Sequence, residues 1–235
     1  MHAFLQRALR ATLAVGVLIT ATTAHATDYD LLSDQEIDQR LSFLNSKLDA
    51  IESPSTYWQY GWTGFYAVSA IAQAAKAADE SDSDDSTKQW VGAVKSAGGL
   101  ALMLFKPLPV VTGMDDYRQM PATSRAQKIA RLKEAEQLMR HSAWRANERH
   151  TWKPHLMTVG VNLLGAAAIA AFGDSDDALG SAALGIAIGE AAIWSQPSAP
   201  QQYWQDYQNK FSGQQTAYQW RITPTYNGIN LEVRF

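Results

Sequence analysis

The sequence predicts a mainly α fold: a helical bundle built around an antiparallel Gly/Ala-rich helix pair, with a C-terminal β-hairpin. Three observations carry that reading. Residues 156–194 run LMTVGVNLLGAAAIAAFG, DSDD, ALGSAALGIAIGEAAIW: two apolar stretches of about 17 residues joined by a short acidic turn, the pattern of a tight helix pair. Ser181, Gly185 and Gly189 recur every fourth position, so one stripe of the second helix carries almost no side chain and lets a neighbouring backbone come close. Beyond Tyr218 the apolar period drops to two, and Asn227-Gly228 supplies a type I′ turn between two alternating runs.

Three segments are expected: a secretory signal peptide over 1–26, a helical bundle domain over 27–200, and a short amphipathic helix plus hairpin over 201–235 packed on the same domain. His2, Arg7 and Arg10 form a basic start, residues 11–20 a short apolar stretch, and Ala24-His25-Ala26 a small-x-small cleavage site. Ten apolar residues are too few to span a bilayer, so the segment reads as an export signal and not an anchor. The chain has no cysteine, which excludes disulfides, zinc-thiolate sites and a thiol nucleophile. A net charge of -3 predicts no nucleic-acid partner.

In the mature chain, Ser33 and Glu36 form a capping box, and Ile37, Leu41, Leu44, Leu48 and Ile51 make one apolar seam that Pro54 is expected to end. An aromatic entry, Tyr57-Trp58-Gln59-Tyr60-Gly61-Trp62, leads into an apolar helix to about Ala77. The acidic run 78–86 lacks the glycine and terminal glutamate of an EF-hand and reads as a solvated loop. A helix over 90–105 follows, broken by Lys106-Pro107-Leu108-Pro109. Thr123 and Ser124 cap a long basic amphipathic helix to about Trp152, whose buried stripe is Ile129, Leu132, Ala135, Met139, Ala143 and Ala146. Its basic face suits an anionic surface; the alternative is a solvated face with ion pairs along the helix. Pro154 opens the central pair as a first-turn proline, and 201–211 is a short helix expected to expose Tyr203, Trp204, Tyr207 and Phe211.

Four apolar helices approach the length needed to cross a membrane, with aromatics at their ends. Lys95, Lys106, the Gly98-Gly99 pair and Glu190 argue against lipid exposure, and the sequence therefore favours an exported bundle over a conventional four-span protein. Folding the central pair about Ser175 sets Glu190 level with Gly160, beside Thr158 and Asn162, with His155 a turn and a half away. That polar cluster is either a catalytic or ligand site or a buried group fixing helix register. No metal-helix spacing, phosphate-binding loop or nucleophile elbow appears, and neither cofactor nor metal is expected.

The expected function is that of a non-enzymatic protein of the cell envelope, in the periplasm or on the membrane, binding a membrane surface, lipid or envelope protein. The alternative is a small envelope hydrolase or lipid-modifying enzyme using His155 and Glu190, with Asn162 and Thr158. Trp58, Trp62, Arg140, Arg145, Trp152, Trp194 and Phe235 are the expected membrane or partner contacts. Residues 229–235 resemble the closing strand of an outer-membrane β-barrel, which implies an envelope protein partner reached through the hairpin.

Overall fold

The computed structural model describes residues 29–212, with side chains to Phe211, and only the backbone of 219–225 and 228–234. The expected signal peptide and Phe235 lie outside the described residues. The chain divides into two units, Met1–Leu32 and Ser33–Phe235. Of the first, a single 3-10 turn, Tyr29–Leu31, is described.

The second unit is organised along one helix, α1 (Asp34–Asp79), of 46 residues. Ser33 caps it by accepting from the Glu36 N–H at 3.2 Å, but the Glu36 carboxylate turns away to Arg40, so only half of the expected capping box forms. The apolar seam Ile37, Leu41, Leu44, Leu48 and Ile51 is buried as its spacing requires. Pro54 does not end the helix, contrary to expectation; it lies inside α1. Proline costs about 3 kcal/mol in a helix interior. Burial continuing on both sides of it, through Ile51, Ser55 and Gln59, offsets that cost.

Around the first half of α1 stand α3 (Pro109–Gln119), α4 (Arg125–Glu148) and α7 (Ala199–Ser212). The KPLP break does more than end a helix, because Pro109 takes the first position of α3, where its missing N–H costs nothing. Ser124 and Gln127 close a full capping box on α4. Leu132, Ala135, Met139, Ala143 and Ala146 are buried along it. Tyr207 and Phe211 of α7, expected at the surface, are 4% and 3% exposed. They close over Arg40, which donates to Glu36 (2.7 Å), the Phe211 carbonyl (3.3 Å) and the Tyr207 hydroxyl (3.4 Å), while that hydroxyl donates to Glu136. A buried guanidinium is tolerable only with such a set of acceptors. Burial, then the Glu136 carboxylate, hold the Tyr207 phenol well above its ordinary range.

The second half of α1 packs on α2 (Ser83–Phe105), which packs in turn on the pair α5 (Trp152–Phe172) and α6 (Ser175–Ser195). The acidic run is mostly helical, since Asp82 caps α2 by accepting from the Asp84 and Asp85 N–H groups and the helix starts well before Trp90. The central pair turns at Gly173-Asp174, with Asp174 capping α6. Its helices meet through glycine notches. An added Cβ at Gly185 would fall 1.7 Å from Asn162 Oδ1, and one at Gly189 2.4 Å from Thr158 Cγ2. Gly99 likewise receives the Tyr66 ring, and Gly92 the Gln73 amide.

The expected C-terminal β-hairpin is corrected. The fold is mainly helical, with no strand among residues 29–212. A lone hairpin is marginal without a face covering it. The described side chains, from residue 29 to Phe211, belong to a mainly α fold of which no hairpin is part.

Two outcomes follow from this packing. Gly98→Ala, facing open space, should be neutral or stabilising by up to about 1 kcal/mol. Gly99→Ala, whose Cβ would sit 2.6 Å from the Tyr66 ring, should lower stability by about 1–3 kcal/mol. Thermal unfolding of the two purified variants reads the difference in sign, and equal midpoints would refute the close Tyr66 contact. Separately, because Tyr207 holds its proton more tightly folded than unfolded, the stability it lends is full below about pH 10 and lost as pH rises above that value. Tyr207→Phe should therefore show a shallower alkaline decline in denaturant midpoint. An identical decline would show that the phenol titrates alike in both states.

Candidate functional site

The sequence-expected polar cluster lies where the two halves of the second unit join, at a neck formed by the ends of α2, α4 and α6 and the start of α5. Helix ends leave backbone groups without partners, and this neck is built by satisfying them. Pro107 cannot donate to the Met103 carbonyl, so Gln59 Nε2 donates to it at 2.7 Å while Gln59 Oε1 accepts from the Leu108 N–H at 3.1 Å. At the end of α6, the Ala192 carbonyl accepts from Trp58 Nε1 at 3.2 Å. Ser195 Oγ accepts from Trp58 and Trp62 indoles at 3.1 and 3.0 Å. Gln196 Nε2 donates to the Arg145 carbonyl at 3.1 Å, and an Arg149 guanidinium nitrogen donates to the Gln196 carbonyl.

His155 and Glu190 meet inside this frame. His155 Nδ1 lies 2.8 Å from Glu190 Oε2, and His155 Nε2 lies 2.9 Å from the Arg149 carbonyl. Trp194 Nε1 donates to the same Glu190 oxygen at 3.1 Å, and its ring sits 5.5 Å from that of His155. Both imidazole nitrogens therefore lie within hydrogen-bond reach of an oxygen of the chain. Each ring nitrogen thus already has a partner within the chain. His155 and Glu190 are each 27% exposed at the side chain, so the pair forms the wall of the neck and not its buried centre.

Thr158 and Asn162 do not join them. Asn162 is buried in the Gly185 notch and donates to the Thr158 carbonyl at 2.9 Å, and the Thr158 methyl fills the Gly189 notch. The turn at Gly173-Asp174, not Ser175, slides the helices enough to set Glu190 against His155 instead of against Gly160. Among the described residues no group of three His, Asp or Glu is placed to hold a metal.

The expected surface contacts divide. Trp58 and Trp62 are used within the chain, sealing the end of α6. Arg145 binds Glu148 (2.5 Å) and the Lys106 carbonyl (3.4 Å). Arg140, Trp152 and Trp194 are exposed, and Phe235 lies outside the described residues. The basic character of α4 is likewise divided: Lys128 binds Asp38 at 2.7 Å, Arg125 binds Asp34, and Arg118, just before α4, binds Glu52 and Asp49 (3.0 Å). Gln59, Arg149, Ser195 and Gln196 were not singled out from the sequence, because their partners stand 44 to 137 positions away.

No family model matches this chain, no curated protein matches its sequence, and no solved structure matches its fold.

Replacing Glu190 by Leu removes the acceptor shared by His155 and Trp194 and should cost about 1–3 kcal/mol. Glu190→Gln keeps an acceptor oxygen and should lose less. Thermal unfolding of the three proteins measures this, and coincident midpoints would show that the neck does not depend on the carboxylate.

Proposed function

We propose that the protein is a membrane-embedded, non-enzymatic scaffold of the cell envelope. In this reading the second half of α1 together with α2, α5 and α6 crosses the bilayer, and the remaining helices form a domain at one membrane face that receives an envelope protein. Three helices, α2, α5 and α6, carry stretches long and apolar enough to cross a membrane, each only 17% buried within the fold. Twenty-one residues of helix rise about 31 Å, the thickness of a bilayer's hydrocarbon.

The observation that carries the reading is the inversion of polarity across these helices. Large apolar side chains point out: Leu164 is 74% exposed, Phe172 77% and Leu179 79%, with Val68, Ile71, Val94 and Leu104 also outward. Polar ones turn in: Lys95 Nζ binds Ser181 Oγ at 3.0 Å, Gln73 Nε2 binds Ser96 Oγ at 2.9 Å, and Asn162 is buried. In water this arrangement would expose far more contiguous apolar surface than a soluble monomer carries. In lipid it satisfies the rule that polar groups face other helices. Lys95 and Glu190, which argued in the sequence against lipid contact, are turned toward neighbouring helices and so do not oppose it.

The test is extraction. The full chain should stay with membranes washed in alkaline carbonate. A single cysteine introduced at Leu164 should resist a water-borne maleimide, whereas one at Lys47 should react; the cysteine-free chain makes this clean. Release into the carbonate supernatant, or rapid labelling at Leu164, overturns the reading.

A further inference from the structure

The ends of the apolar half differ in charge. At one end Asp79, Glu80, Asp82, Asp84, Asp174 and Asp176 cluster around the α1–α2 and α5–α6 turns. At the other, the neck presents Lys106 at the end of α2 and Lys153 in the first turn of α5, with Arg140 five residues before Arg145 on α4, all exposed. None of the three makes an ion pair with the described residues. That sets them apart from Arg118, Arg125 and Lys128, whose charges are met by Asp49, Glu52, Asp34 and Asp38. The neck's own acids are already engaged, Glu148 by Arg145 and Glu190 by His155.

Aromatic side chains stand among these cations. Phe105 is 85% exposed, Trp152 67%, Trp144 63% and Trp194 59%. Phe105 precedes Lys106, Trp152 precedes Lys153, and Trp144 lies four residues, about one turn, beyond Arg140 on the same helix face. Amphipathic rings prefer the level of lipid headgroups, and cations there attract headgroup phosphates.

We propose that this neck is a binding collar for anionic phospholipid headgroups, with Lys106, Arg140 and Lys153 meeting the phosphate and Trp144 and Trp152 seating it at the hydrocarbon boundary. The proposal rests on the membrane reading above and adds to it the chemical class of the ligand. The positive charge complements an anionic headgroup, and the surface is open, as suits a ligand presented by a bilayer. It gives a membrane-embedded protein a preference among lipids that its apolar surface alone would not have.

The experiment uses the full chain in nanodiscs of equal parts phosphatidylglycerol and phosphatidylcholine, stripped gradually with detergent, the lipid retained being counted by mass spectrometry. The wild type should keep the anionic lipid over the zwitterionic one by roughly fivefold or more. Combined Lys106→Gln, Arg140→Gln and Lys153→Gln should bring the ratio close to one, while Lys128→Gln, in the paired set, should leave it unchanged. Raising salt to about 0.5 M should erode the wild-type ratio, a check that needs no variant. Inorganic phosphate at millimolar concentration should not displace the lipid; displacement would mark the site as one for free phosphate and overturn the assignment. Equal retention of both lipids by a carbonate-resistant chain overturns the collar alone, as does a triple variant with the wild-type ratio. A chain that carbonate releases overturns the membrane reading beneath it.

Discussion

Each contact glycine in the apolar half receives a side chain from the helix beside it, and that fit fixes where the helices stand. Asn162 enters at Gly185 and Thr158 at Gly189, two notches one turn apart that leave α5 and α6 a single register. Tyr66 at Gly99 and Gln73 at Gly92 do the same for α1 and α2, and the Lys95 stem lies where a Cβ on Gly165 would crowd it at 3.0 Å, joining α2 to α5. The inserted groups are mostly polar. An amide or ammonium with apolar surroundings must find its partners within the protein, so three of these insertions also direct a hydrogen bond: Gln73 to Ser96, Lys95 to Ser181 and Asn162 to the Thr158 carbonyl. The register set by the two α5–α6 notches carries His155 to within 2.8 Å of Glu190.

The neck follows from the same demand applied to helix ends. Where α2 stops at a proline and α6 tightens its last turn, carbonyls are left over, and α1 passes both points with Gln59 and Trp58 available to donate. Indole nitrogens that an aromatic belt would turn toward lipid headgroups are here used to close helices. Among the aromatics that face outward there are Tyr57, Tyr60, Phe105, Trp144, Trp152 and Trp194.

The parts of this structure legible in the sequence are those with local causes. The seam from Ile37 to Ile51, the caps at Ser33 and Ser124 and the pairing of the two Gly/Ala-rich helices each depend on residues within a turn or two of one another. Counting about Ser175 sets Glu190 level with Gly160 and His155 a turn and a half away, whereas the turn at Gly173-Asp174 brings Glu190 to His155. Three things were hidden because their causes lie far along the chain. Pro54 looked like a helix end, since nothing local shows that burial resumes at Ser55 and Gln59. Tyr207 and Phe211 looked exposed, since the Arg40 they cover is more than 160 positions away. Lys95 looked like an obstacle to lipid because a one-dimensional pattern gives its depth and not its rotational phase. The C-terminal alternation was a strong local signal that found no place in the helical fold.

The unbroken run of α1 through Pro54 ties the two halves together by angle. Along a helix each residue turns the next by about 100°, so the face that buries Ile37 to Ile51 in one half and the face that presents Tyr66 and Gln73 in the other are locked in phase. One residue added between them would rotate one half against the other by more than a quarter turn and break the neck contacts that α1 makes through Trp58 and Gln59. Seven would restore alignment to within about 20°. The chain can therefore lengthen at this joint only in steps near a whole number of helical turns, and α1 acts as a rigid shaft through which any twist of the apolar half reaches the domain beyond it.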